Sequence, residues 1–271
     1  MAGMSDRLAT MFRLPYRLAR LVLHFLLGAA ILVLVFPWIK NTRRKATIVH
    51  WSAGLLRIVA VRLHIHGHRA IGAAPVLLVA NHVSWIDIFV ILAALPVRFV
   101  SKSEVRAWPL IGWMSARTGT LFLKRATRRD AARINGQVID ALAEGDTVAV
   151  FPEGTTSDGS TVLPFHGSLL QPAVEAGANV LPLALQFRRP YGSLCREAAY
   201  DGDRSLWQTS REMLALAHVD VHLWFLPPLS GATLGRRELA AAAREAIRSR
   251  LLPEPRSSHS RTADGPRDAV P

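Results

Sequence analysis

Apolar positions along the chain follow three successive rhythms. Residues 21–39, LVLHFLLGAAILVLVFPWI, carry one polar side chain, His24. As a helix this run spans roughly 28 Å, close to the thickness of a hydrocarbon core. No small-residue cleavage site follows it, so it reads as a retained segment rather than a signal peptide. Basic residues lie on both sides, which leaves the orientation open. A full span fits, and so does a shallow or re-entrant anchor with both flanks at the cytoplasmic surface. Residues 46–59, ATIVHWSAGLLRIV, form a second helix candidate, with Trp51 at headgroup depth.

From Val61 the rhythm shortens. VRLHIHGH alternates apolar and polar, as a strand does, and PVLLVA (75–80) is a continuous apolar run, as a buried strand is. VRFVSK (97–102), TLFLKR (120–125), TVAVF (147–151), NVLPLALQF (179–187) and VDVHLWFL (219–226) read as further strands. Helical spacing appears over 129–142, closed by Gly145, and over 167–175 and 236–251. Strands alternating with helices predict an α/β domain, a layered sheet with flanking helices, preceded by a membrane-associated helical segment. The division is 1–60 for the anchoring helices, 61–252 for the α/β domain and 253–271 for a disordered tail nearly free of apolar residues. No internal repeat is visible.

Composition sharpens the first of these readings. Half of the 271 residues are hydrophobic, and the net charge is +13. Such a charge favours an anionic partner. Arg7, Arg13, Arg17, Arg20, Lys40, Arg43, Arg44 and Lys45 stand against Asp6 beside the most apolar segment, so the partner is an anionic membrane. No nucleic-acid module signature is present. The single cysteine, Cys195, excludes an intrachain disulfide and suits a reducing compartment.

Chemistry enters where the apolar runs stop. In LLVANHVSWIDIF (77–89) a buried strand gives way to Asn81 and His82, then to Asp87. On a continuous helix His82 and Asp87 would be about 140° apart and out of reach. A turn over 82–84, with Ser84 as N-cap and Asp87 three residues on, would let the carboxylate hold one imidazole N–H and leave the other nitrogen as a base. In VAVFPEGTTSDGS (148–160), Pro152, Glu153, Gly154, Thr155 and Thr156 follow another strand as a turn suited to an anion. Between them Lys124, Arg125, Arg128, Arg129 and Arg133 cluster, either as a solvated face or as a phosphate site. His64, His66 and His68 alternate on a strand but have no acidic or thiol ligand in sequence beside them, so they read as a solvated face. Ser157 lacks a nucleophile elbow.

In this order the stretches resemble the glycerolipid acyltransferase family, whose bacterial type is 1-acylglycerol-3-phosphate acyltransferase. Its N-H-x-x-x-x-D block is matched by Asn81, His82 and Asp87, and its Gly-x-x-Phe-x-x-Arg block by Gly119, Phe122 and Arg125. Phe151 through Ser157 match F-P-E-G-T-R-S except that Thr156 replaces the arginine, and Leu181 through Ala184 match a final V-P-V-A-like strand. Pro109 and Gly112 also fit the family's spacer. The resemblance implies a membrane O-acyltransferase in phospholipid biosynthesis, at the cytoplasmic face of the inner membrane. It would move an acyl chain from acyl-CoA or acyl carrier protein to the free hydroxyl of 1-acylglycerol-3-phosphate, giving phosphatidic acid. No metal, cofactor or acyl-enzyme is implied. His82 would be the base and Asp87 its orienter. Phe122, Arg125, Glu153, Gly154, Thr155 and Thr156 would hold substrate, and backbone donors near Gly154 would hold the oxyanion. The missing arginine makes lyso-ornithine lipid or another lysolipid the alternative acceptor. A non-catalytic lipid-binding protein is the remaining alternative, against which the intact His82 and Asp87 argue.

Overall fold

The computed structural model describes residues 4–68, 75–124, 128–202 and 204–252. Arg125 and the 253–271 tail lie outside these residues. The chain begins with a long helix, α1 (Met4–Leu34), which continues through Pro15 and ends in a 3-10 turn around Pro37. It returns as α2 (Asn41–Ile58). Then follow β1 (Val61–His66), β2 (Val76–Ala80), α3 (Asp87–Ala94), β3 (Arg98–Lys102), α4 (Ile111–Arg117) and β4 (Leu121–Leu123). The remainder comprises α5 (Arg128–Ala143), β5 (Val148–Val150), α6 (Gln171–Glu175), β6 (Asn179–Arg188), α7 (Leu206–Ala215), β7 (Val219–Phe225), β8 (Leu229–Ser230) and α8 (Arg236–Leu251).

The strands form one mixed sheet in the order β1-β7-β6-β2-β5-β3-β4, with β8 pairing the start of β6 on the side that β7 takes further along. From β6 to β4 every neighbouring pair is parallel, while β7 and β8 run antiparallel to β6. Alternate residues of β2 serve opposite layers. Leu78 and Ala80 pack with Leu55 of α2, Ile91 of α3 and Met213 of α7, whereas Leu77 and Val79 pack with Ile134 of α5, Ala173 of α6 and Leu239 of α8. Helices on both faces explain why PVLLVA is uninterrupted by polar residues.

The seven expected strands are present, and the layered α/β architecture is as the alternation predicts. Two helices and a strand, α4, α7 and β8, were not anticipated. The helix expected over 167–175 is split into a 3-10 turn (Gly167–Leu169) and the short α6.

Residues 11–38 are long and apolar enough to cross a membrane, and little of that stretch is buried. Yet α1 does not stand free of the sheet domain. Its Leu14, Leu18, Leu21 and Phe25 pack onto the main core. Trp51 of α2 stacks on His24 at 4.7 Å and donates to its carbonyl, while His24 Nε2 meets the Trp51 carbonyl at 2.9 Å. A Cβ on Gly28 would lie 2.6 Å from the Trp51 ring nitrogen, so glycine is what admits this ring. Arg13 and Arg17 donate to the carbonyls of Leu214, Ala215, Leu216 and Ala217, capping the end of α7. Arg44 caps Phe36, and Lys45 pairs with Asp146 at 2.6 Å. Four of the eight basic residues assigned from sequence to lipid headgroups therefore have partners inside the fold.

Candidate active site

Parallel pairing decides where the motif residues meet. β2 and β5 are adjacent and parallel, so the loops leaving their C-terminal ends lie side by side. β3 and β4 continue the same direction. The first and third blocks therefore meet at the C-terminal ends of the strands, where ligand sites of open α/β sheets form, and the second block ends β4, two strands beyond β5.

Asn81 is fully buried, and its side-chain amide replaces a strand residue. Nδ2 donates to the Leu185 carbonyl at 2.9 Å and Oδ1 accepts from the Leu185 N–H at 2.8 Å. The backbone is thereby released to turn, and His82 leaves the sheet at a fixed point.

Asp87 is the first residue of α3 and is fully buried. Its Oδ2 accepts from Val83 N at 2.7 Å, Ser84 N at 2.9 Å and His82 Nδ1 at 2.7 Å. Oδ2 thus accepts from three N–H groups, two of them from the backbone of the turn. Nδ1 must then carry the proton, and Nε2 is left with a free lone pair. The arrangement corrects the capping box expected at Ser84. Among the described residues Ser84 Oγ accepts only from Ile86, at 3.4 Å, and it is the Asp87 carboxylate that reaches back to the turn. The sharp turn at 82–86 is what closes the five-residue gap.

The third block supports the same imidazole from the other side. Phe151 stacks on the His82 ring at 4.0 Å and 11°, and Phe99 stacks behind Phe151. His82 N donates to Glu153 Oε1 at 3.1 Å, and Ser157 N donates to the His82 carbonyl at 2.9 Å. Glu153 is 4% exposed, and its Oε2 has no hydrogen-bond partner among the described residues. Burial pushes its pKa up to about 8; N–H groups of His82 and Leu163 oppose the rise, and the Asp87 charge adds to it. Glu153 is therefore mostly protonated at neutral pH.

Gly154 adopts φ +70°, and its N–H closes a turn onto the Phe151 carbonyl. Of the backbone donors near Gly154, that one is used within the loop. Thr155 is exposed, and the Thr155 and Thr156 N–H groups have no acceptor among the described residues. The Thr156 hydroxyl is turned toward the Tyr200 carbonyl and engaged there.

Phe122 lines a cavity of about 260 Å³ with Ser103, Arg106, Thr120, Lys124, Arg133 and Gln137. The Arg106 guanidinium lies over the Phe122 ring at 5.7 Å. Lys124 and Arg133, singled out in the sequence as a basic cluster, thus share a concave site with Arg106, which that reading missed. Its position in the spacer before the second block gave no sign of this.

The strand histidines lie on the solvated face expected of them, His64 and His68 exposed and His66 half-buried, but β7 supplies neighbours that the spacing did not show. Parallel register sets His64 against His222 and His66 against Trp224. The rings stack, Arg250 caps Trp224 at 4.5 Å, and Asp220 accepts from His64 at 2.8 Å. Asp220 comes from a strand far along the chain.

The structure thus sets a histidine–carboxylate pair at the C-terminal ends of the parallel strands of a layered α/β sheet, joined to an exposed apolar helix. A profile described as acyltransferase matches residues 62–186. The lyso-ornithine lipid O-acyltransferase of Pseudomonas aeruginosa is 39% identical over 202 residues, covering 74% of this chain and 77% of that protein. The 1-acyl-sn-glycerol-3-phosphate acyltransferase of Neisseria meningitidis serogroup B is 34% identical over 206 residues, covering 73% and 77%. The crystal structure of the 1-acyl-sn-glycerophosphate acyltransferase PlsC from Thermotoga maritima has the same fold, with a TM-score of 0.71 at 21% identity over 91% of this chain and 96% of that one. The chain belongs to the acyltransferase family and is an O-acyltransferase of lipid biosynthesis.

Proposed function

We propose that the protein transfers an acyl chain from acyl-CoA or acyl carrier protein to the free hydroxyl of 1-acylglycerol-3-phosphate, giving phosphatidic acid. The observation that carries this reading is the His82–Asp87 pair, with Nδ1 held at 2.7 Å and Nε2 left free. His82 Nε2 removes the hydroxyl proton as the oxygen attacks the thioester carbonyl. Asp87 orients the ring and offsets the imidazolium charge. The Thr155 and Thr156 N–H groups are the available donors for the tetrahedral oxyanion. Collapse of that intermediate releases a thiolate, which takes the proton from His82. Neutral Glu153 holds the His82 backbone without adding a second negative charge beside Asp87. The acceptor's phosphate fits the cavity of Arg106, Lys124 and Arg133, with the Phe122 ring as its floor.

A second acceptor, lyso-ornithine lipid, is favoured by one observation. Thr156 stands where the family has an arginine, and its hydroxyl is occupied by Tyr200, so this loop offers no cation to a phosphate. The relative at 39% identity carries that activity in its name.

The site works at the cytoplasmic face of the inner membrane, with α1 lying in one leaflet. A sheet domain with polar loops stays out of hydrocarbon, so the length of α1 docked on it does not cross the bilayer core. Here one side of α1 is docked along α2, α3 and α7, while Leu23, Leu27 and Leu34 on its other side are exposed. The test is purified protein with isotope-labelled acyl-CoA and acyl carrier protein, offered a panel of lysolipids and read by mass spectrometry. Labelled phosphatidic acid is the expected product. Labelled ornithine lipid alone selects the second reading, and no labelled lipid overturns both.

A further inference from the structure

The spacer between the first and second blocks is built in an unusual way. Leu110 has φ +61° and ψ −57°, and the Ile111 N–H meets the Pro109 carbonyl at 2.6 Å. These are the marks of a γ-turn of the rare, strained kind, here centred on a leucine. Gly112 lets the loop fold back on itself, since a Cβ there would lie 2.3 Å from the Arg106 carbonyl. Gly112 N also donates to Trp108 O and Met114 N to Leu110 O, so the loop is braced rather than slack.

The outcome of this strain is an exposed apolar tip. Trp108, Leu110 and Trp113 are 40%, 36% and 36% exposed, although they sit within one short segment. The opposite face of α4 is anchored. Met114 is buried with Leu32 and Phe36 at the C-terminal end of α1, where Leu34 and Trp38 are themselves exposed. The tip thus continues the apolar face of α1 onto the sheet domain. Its surroundings are basic. Arg117 lies over the Trp113 ring at 5.8 Å and Arg106 over Phe122, and from Lys102 to Lys124 the sole acid is Glu104.

We propose that the Trp108–Leu110–Trp113 tip is a second membrane contact, inserted into the interface of an anionic leaflet at the mouth of the acceptor cavity. Leu110 enters among the upper acyl carbons, and the two tryptophans lie at headgroup depth, where amphipathic rings settle. Arg106 and Arg117 keep their stems on apolar surface and their guanidinium groups among phosphates. Arg106 lines the acceptor cavity as well, so the tip marks the rim over which a lysolipid leaves the leaflet. This last point rests on the acceptor reading given above; the insertion itself does not.

Two measurements on the full chain test it. A bimane probe is placed at Leu110→Cys, and in a control at Tyr191→Cys, which is fully exposed, each with Cys195→Ala. The proteins are bound to vesicles of phosphatidylethanolamine and phosphatidylglycerol. The Leu110 probe is expected to be quenched by lipids spin-labelled high on the acyl chain and shielded from aqueous iodide, with the reverse at Tyr191. Equal iodide quenching at both positions overturns the proposal. Leu110→Asp is then assayed on vesicle-borne lysolipid and on a short-chain, water-soluble one. The apparent KM for the vesicle substrate is expected to rise about tenfold or more, the scale of losing one buried leucine, with turnover of the soluble substrate unchanged. Parallel loss on both substrates overturns the role at the rim. A wild-type protein inactive on every lysolipid would sink the acceptor reading, and the quenching result would still decide insertion.

Discussion

The side chain of Asn81 pairs with both backbone groups of Leu185, 104 residues away, and so ends β2 as if its ladder with β6 ran one step further. The strand end that carries His82 is therefore clamped by a fully buried amide. Next to it, His82 is fixed at its ring by Asp87, at its backbone N–H by Glu153 and at its carbonyl by Ser157.

Asn81→Ala should lower stability more than an average surface change. It leaves a buried donor and a buried acceptor on Leu185 unsatisfied, at ~1–3 kcal/mol each. Denaturant unfolding in detergent reads the loss. Turnover should fall as well, because the exit point of His82 is no longer defined. An unchanged midpoint would mean that water replaces the amide.

His82→Ala should reduce transfer by about 10²–10⁴-fold or more, the usual worth of a general base. Asp87→Asn should be severely impaired, since an amide does not enforce the Nδ1–H tautomer. Initial rates with labelled thioester measure both. A tenth of wild-type activity in the alanine variant would remove His82 from the chemistry.

Glu153 gives a pH signature. Unfolded, it releases its proton near the ordinary 4.5; folded, it keeps it up to about 8. Between these values the native state binds more protons than the unfolded chain, so its contribution is full below about 4.5 and is lost as pH rises through about 8. Glu153→Gln, neutral throughout, should abolish that part of the decline. Melting temperatures of the two proteins from pH 4 to 9 should converge at the acid end and separate toward the alkaline end, with wild type the lower.

The basic cavity separates the two acceptors. Lys124→Ala or Arg133→Ala should raise KM for lysophosphatidic acid by about 10–150-fold, the worth of one charge-assisted hydrogen bond. Thr156→Arg should preserve or improve that activity and impair transfer to lyso-ornithine lipid. If none of these changes alters the preference between the two lipids, the head group binds elsewhere.

On α1, the paired change Leu23→Asp and Leu27→Asp should move much of the protein to the soluble fraction, while high salt should not strip wild type. Sedimentation with vesicles measures both. Removing residues 1–60 is a poorer test, because it takes Leu55, Leu56 and Val59 out of the main core.

Much of this architecture can be read from local pattern. The β2 run announces a strand covered on both faces, and the 236–251 spacing announces α8. Helix α7 carried its own signal, a Ser205–Gln208 capping box that is present in the structure but was overlooked. What sequence spacing conceals is partnership at a distance. Asn81 reads as half of a motif until Leu185 is beside it, and His64, exposed as its alternation implies, shows no partner until β7 brings Asp220 and His222. The His82–Asp87 contact was legible, but its means was not. A carboxylate at the first helical position reaching back over two N–H groups resembles, in sequence, a serine-initiated capping box.

Arg13 and Arg17 close the C-terminal end of α7 across 197 to 202 residues of chain. The ribosome makes α1 before every strand of the sheet and α7 after six of them. Until α7 emerges the arginines have no carbonyls to meet, and α1 waits for the domain that will dock on it. Completion of the fold is therefore a late, long-range event. A nascent chain stopped before residue 217 carries a finished anchor and an unfinished enzyme.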